Sequence, residues 1–140
     1  MALRAPITVH SYWNEDEIAE ALRNGQPIAC IYSNQFSRLR PRDTIWIFGP
    51  YRERFVTIGY VRVAELRRHA DGKVEAVAGD PVTPRIVDLT DDWADELTFY
   101  RQENALTAAK HGLPNGQQLQ TVRDLSVAAR KWLERRWSTG

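Results

Sequence analysis

Apolar and polar residues alternate through "PITVHSYW", residues 6–13, with the period of a strand. Asn14 then carries the side chain of a helix N-cap, and Glu17 stands three residues on, as in a capping box. Ile18, Ala21 and Leu22 make one apolar face, and Gly25 followed by Pro27 stops the helix. A β region follows. "PIACIY" reads as a buried strand, "DTIWIF" and "RFVTIGYVRVAEL" as two more, with "GPYRE" as the turn between them. Asp71-Gly72 in "HADGK" signals a hairpin, after which "KVEAVA" returns antiparallel, and "TPRIVDL" supplies a last strand. Five or six short strands with closely spaced turns suit a small barrel or a strongly bent sheet.

The pattern changes in the last third. Thr90 or Asp91 caps a predicted helix through "DWADELTFYRQENALTAAKHG", with acids in the first turn and Gly112 and Pro114 at its end. Leu119, Val122, Leu125, Ala129, Trp132, Leu133 and Trp137 recur at spacings of three and four, which predicts a final amphipathic helix. Its other face carries Arg123, Arg130, Lys131, Arg135 and Arg136. The expectation is an α+β fold, a small β-barrel of five to six strands with a short N-terminal helix and two C-terminal helices. It reads as a single domain over residues 1–140, with the barrel core over about 5–90 and the helical part over about 91–138.

Composition bounds this picture without changing it. At 140 residues, 43% apolar and 26% charged, the chain can bury an ordinary core. No run approaches the roughly 20 apolar residues of a membrane span, and no signal peptide is visible, so a cytoplasmic protein without membrane contact is expected. Charge does alter the picture. Between Asn34 and Arg68 eight arginines face three acids, whereas between Arg85 and Asn104 six acids face two arginines. A chain of net charge +1 can therefore present a basic face. Its cations are 16 Arg and only 3 Lys, and guanidinium forks suit phosphates and rings, although codon usage in a GC-rich genome gives the same bias.

Catalytic chemistry finds little support. His10, His69 and His111 lack metal-ligand spacing with one another or with paired carboxylates, and the single Cys30 excludes a disulfide or a cysteine cluster. Cys30 as a nucleophile would need His10 on a neighbouring strand. No glycine-rich phosphate loop is present, and neither a metal nor a cofactor is expected. The aromatic residues say more, with five Trp and five Tyr. Trp132 and Trp137 fall on the apolar stripe of the last helix. Tyr12 and Trp13 sit where the first strand meets the first helix, and Trp46 points opposite to Ile45 and Ile47, a position from which a ring can stack on a base.

The segment "LRPRDTIWIF......FVTIGYVRVAEL", Leu39 to Leu66, resembles the PUA-like superfamily of small β-barrels, which includes the PUA, ASCH, EVE and YTH families. Members often carry a "lkpGDrvwfy" segment, matched here by Pro41, Asp43, Trp46 and Phe48, with Arg42 in the place of the glycine. A following "iiGvgrV" is matched by Ile58, Gly59, Val61 and Val63. Upstream, "SYWNEDEIAEAL" is similar to the "SYsEdDIhrSI" of YTH domains with one residue inserted, and Ser33–Gln35, "SNQ", resembles the "SNP" of EVE domains. The resemblance implies a pocket for a flipped, modified base in DNA or RNA. It would place Ser33, Asn34 and Gln35 on the base edge, with Tyr12, Trp13 and Trp46 as the aromatic lining. Arg38, Arg40, Arg42, Arg52 and Arg54 would hold phosphates. The strand "PIACIYSN" has no tryptophan for a methyladenine cage. Two other readings stand beside this one: a protein partner docked on the basic C-terminal helix, and a small nucleic-acid-processing enzyme acting through Asp43 and Glu53.

Overall fold

Strand β1 (Thr8–Tyr12) runs into helix α1 (Glu15–Asn24) through the capping box that its sequence specifies. The Asn14 side chain accepts from Glu17 N–H at 2.8 Å, and Glu17 Oε1 accepts from Asn14 N–H at 3.1 Å. Gly25 closes the helix in the left-handed conformation, its N–H bonded to Ala21 O. Strands β2 (Ile28–Ser33), β3 (Thr44–Tyr51), β4 (Arg54–Arg68), β5 (Val74–Val82) and β6 (Val87–Asp88) follow. The computed structural model describes residues 4–101 and 106–140.

The six strands form one mixed sheet in the order β1-β3-β4-β5-β2, with β6 added on β4. β1 lies parallel to β3, and the other pairs are antiparallel. β4 is long enough to serve two partners: its first part pairs with β3 and β6, and its end, from Val63, with β5. Register shifts opposite Ile47/Phe48 and at Val63/Glu65 mark bulges. Bulges of this kind bend a ladder. The expected barrel does not close, because β1 and β2 end the order and do not pair among the described residues. The outer edge of β1 is occupied instead, by a bridge from Val9 to Asp124 and by Leu125 N–H on Thr8 O at 2.7 Å.

Alternation along β3 divides the core. Ile45 and Ile47 join Ile18, Phe36, Leu39 and Val61 on one side of the sheet, beneath α1. Trp46 and Phe48 join Phe55, Trp93, Trp132 and Leu133 on the other. The second cluster is roofed by α2 (Trp93–Glu96) and α3 (Val127–Thr139).

The C-terminal part departs from its predicted helices. The expected helix from Asp92 to Gly112 survives only as the single turn α2; residues 102–105 of that span lie outside the described ones. Beyond it Leu97 and Phe99 are buried on alternate positions, and Phe99 bridges Leu125 while Tyr100 N–H reaches Asp124 O at 2.9 Å. Extended pairing with the 124–126 segment thus competes successfully with helical bonds. α3 starts at Ser126, whose Oγ accepts from Ala129 N–H at 3.0 Å. Leu119, Val122 and Leu125 precede it, in a short 3₁₀ turn and an extended strap over β1.

Candidate nucleic-acid interface

Parallel and antiparallel register together put Thr8, Thr44 and Arg62 in one row across β1, β3 and β4. The next row on the same face holds His10, Trp46 and Tyr60. α3 crosses above and contributes Arg130, Glu134 and Trp137, at the four- and seven-residue spacing of one helix face. Between sheet and helix lies a cleft of about 470 Å³, with Arg42, Arg62 and Arg130 among its lining together with Thr8, Thr44 and the acids Asp80 and Glu134. This volume is within the range of ligand clefts. It adjoins an inner pocket of about 130 Å³ that shares Thr8, Thr44, Arg62, Arg130 and Glu134, and whose back wall is Trp46, Tyr60 and Trp137.

The three rings support one another. Trp46 lies 4.7 Å from Tyr60 and 6.2 Å from Trp137 between ring centroids. Arg85 covers a face of Trp137 with its guanidinium carbon 3.9 Å from the ring centre. Trp46 is only 2% exposed, so its part is to support the wall, and the half-buried Tyr60 and Trp137 are the rings that meet the pocket. Tyr12 and Trp13 lie elsewhere. Tyr12 packs on the second cluster against Gly116, and Trp13 on the first, across the sheet from Trp46. Trp13 and Trp46 therefore share no pocket.

The "SNQFSRLRPRD" loop, expected at an open rim, is a plug. Phe36 and Leu39 are buried in the first cluster. Ser33 Oγ accepts from Gln35 N–H at 3.0 Å, and Asn34 is exposed on the turn. The Gln35 amide clamps the strap, donating to Gln120 O at 2.9 Å and accepting from Val122 N–H at 2.8 Å. These three residues are not brought to the cleft.

The five arginines chosen from sequence are dispersed as well. Arg38 is ion-paired with Asp124 at 2.5 Å. Arg54 is ion-paired with Asp88 at 2.6 Å, and Arg52 lies over Tyr51 at a hairpin tip. Arg42 and Arg52 flank opposite ends of β3, whose length is roughly 25 Å. Arg40 is exposed beside Arg42, and only Arg42 of the five lines the cleft. Its cationic partners, Arg62 and Arg130, come from β4 and α3. Arg136, which the sequence puts on the charged face of the last helix, is bonded to Asp88 O and lies 3.9 Å from Asp92.

Asp43 is fully buried and accepts four hydrogen bonds: Arg4 Nη1 at 2.9 Å, Arg4 Nη2 at 2.7 Å, Ile7 N–H at 2.9 Å and Arg40 N–H at 2.8 Å. Burial alone would raise its pKa, but these donors outweigh it and hold the carboxyl below its ordinary value. It is a structural knot, and the exposed Glu53 lies beyond the far end of β3, so the two acids do not form a catalytic pair. His10 and Cys30 occupy the two outermost strands of the sheet path, not neighbouring ones. Burial and the nearby Glu75 carboxylate push the Cys30 thiol pKa up, away from thiolate. Among the described residues no group of His, Cys, Asp and Glu is arranged to hold a metal ion.

The sequence reading had Arg130 only on the charged face of the last helix, and it missed Thr8, Thr44, Tyr60, Arg62 and Glu134. Alternation in "YVRV" does put Tyr60 and Arg62 on one face, but the register that sets them beside Thr44 and Trp46 is not written in any local pattern.

Fold and cleft together define an α+β protein with an open mixed sheet and an arginine-rimmed cleft under its last helix. No protein-family model, curated protein or solved structure matches the chain.

Proposed function

We propose that the protein binds a strand of nucleic acid in the cleft between its sheet and α3. Phosphates lie on Arg42, Arg62 and Arg130, and an unstacked base enters the inner pocket against Tyr60 and Trp137. The observation that carries this reading is the convergence of three arginines from a loop, a strand and a helix on a cleft that continues into an aromatic pocket. Guanidinium groups position phosphates, and ring faces hold bases of any sequence. A PUA-like fold is part of the proposal. Arg42, at the place of the superfamily's glycine, has φ of 82°, the conformation glycine favours. Gly59, also in the resembling segment, has φ of 140° beside the bulge in β4. Both supports concern backbone shape, which a resemblance of side chains does not entail.

Tryptophan fluorescence titration with short single- and double-stranded DNA and RNA at two salt concentrations tests the reading. Quenching that weakens steeply with salt is expected. Absence of binding to all of them at low salt would sink it. In that event Lys131 and Arg135, which are exposed on α3 away from the cleft, become the natural docking face for a protein partner.

A further inference from the structure

We infer that the inner pocket selects guanine over the other bases, an inference that rests on the nucleic-acid reading of the cleft. The pocket's polar inventory is asymmetric. Glu134 offers a carboxylate, which only accepts; Arg62 and Arg130 only donate; the hydroxyls of Thr8 and Thr44 do either, while that of Ser138, which donates to Glu134 O at 2.9 Å, accepts. A base that satisfies both charges needs two neighbouring N–H groups for the carboxylate and a pair of acceptors for two of a guanidinium's five N–H donors, the others staying on the phosphate.

Guanine has that arrangement, with N1–H beside the N2 amine on one edge and O6 beside N7 on the next. Adenine brings a single amine between two acceptors, and cytosine a single amine beside N3, so each leaves one carboxylate oxygen without a donor. Thymine and uracil set their one N–H between two carbonyls, which a carboxylate repels. Glu134 is available for this role, since its side chain is 55% exposed and its nearest cation, Arg130, is 3.9 Å away, beyond hydrogen-bond length. The pocket, at about 130 Å³, has roughly ten times the room that admits one water. Aromatic discrimination is weak here, because Arg85 already covers one face of Trp137 and Trp46 is buried. Selection therefore falls to the hydrogen-bonding edge. N7-methylation would remove an acceptor and add a positive charge beside two arginines, so the pocket disfavours a cationic base.

The test is fluorescence anisotropy of labelled short oligothymidylates and oligouridylates carrying one central guanine, adenine, cytosine, hypoxanthine or N7-methylguanine. The guanine oligomer should bind about tenfold tighter than those with adenine or cytosine, and both hypoxanthine, which lacks the N2 amine, and N7-methylguanine should lose roughly that factor. Glu134→Gln should bring guanine down to the level of adenine, with an unchanged melting temperature, while Lys131→Ala, outside the pocket, keeps the preference. Equal, salt-sensitive affinity for every oligomer would overturn guanine selection and leave the cleft a general nucleic-acid site. A preference that survives Glu134→Gln would also overturn it. No binding to any oligomer would overturn both readings.

Discussion

His10 shows how one buried side chain couples stability to pH. Its ring lies 5.8 Å from Phe48 and 5.6 Å from Phe99, and Nε2–H donates to Leu119 O at 3.1 Å, while Nδ1 is buried without a partner. Burial, only partly offset by the Leu119 carbonyl, lowers its pKa to about 4. Below pH 6.5 the unfolded chain takes up a proton that the folded one refuses. The stabilisation is therefore complete above pH 6.5 and is lost as the pH falls toward 4, about 3 kcal/mol in all. Urea unfolding from pH 7.5 to 4.5 should show this slope, and His10→Phe should flatten it. Asp43 acts in the same direction lower down, since its depressed pKa means its contribution is lost as pH falls below the ordinary carboxylate value. Asp43→Asn turns an amide N–H₂ against two of the four donors, and thermal melting should show a loss of at least about 2 kcal/mol. In the sequence Asp43 stood out only as a position of the resembling segment and as a candidate acid; its role as a buried knot with Arg4 was not legible, because nothing local links positions 39 residues apart.

Up to Asp88 the elements follow from local signals, since caps, Asp-Gly and alternation all act within a few residues. One turn is shifted within its predicted loop. "GPYRE" suggested Gly49-Pro50, yet both belong to β3, and the hairpin turns at Arg52 and Glu53, with φ of 49° and 63°. Gly49 is needed in the strand because a Cβ there would lie 2.3 Å from Trp13 O and from Ile18 Cδ1, where α1 docks. Gly49→Ala should accordingly cost at least about 2 kcal/mol in denaturant unfolding. The two positive φ values mark a type I′ turn, for which Asn-Gly is the favoured pair. Replacing Arg52 by Asn and Glu53 by Gly should raise stability by about 1–2 kcal/mol, read as a higher melting temperature. Between Asp88 and Ser126 the signals mislead. Leu119, Val122 and Leu125 keep helical spacing while lying in an extended strap, because burial under neighbouring segments imposes no fixed period on such a segment.

At the scale of the whole molecule, the basic segment and the acidic segment recognised in the sequence are ion-paired through one arginine among the described residues. Arg54 meets Asp88 and Asp91, and Arg136 meets Asp92. The proposed nucleic-acid surface draws on Arg42, Arg62 and Arg130, from a loop, a strand and a helix, none of which is sequence neighbour to another. Replacing these three by Ala should reduce the salt dependence of nucleic-acid binding by about three phosphate contacts, whereas Arg52→Ala with Arg54→Ala should barely change it. Equal effects from the two sets would return the arginine-rich loop region to consideration. The division of the core by β3 carries one more consequence. Buried members of the first cluster all lie between Val9 and Ala76, whereas the second joins β3 to residues as distant as Leu133. Native-state amide exchange should therefore resolve two cooperative units, with the α3 side opening first because it depends on the longer loop closure. Transient opening of that side would bare the indole of Trp46 while the ladder beneath α1 stays protected.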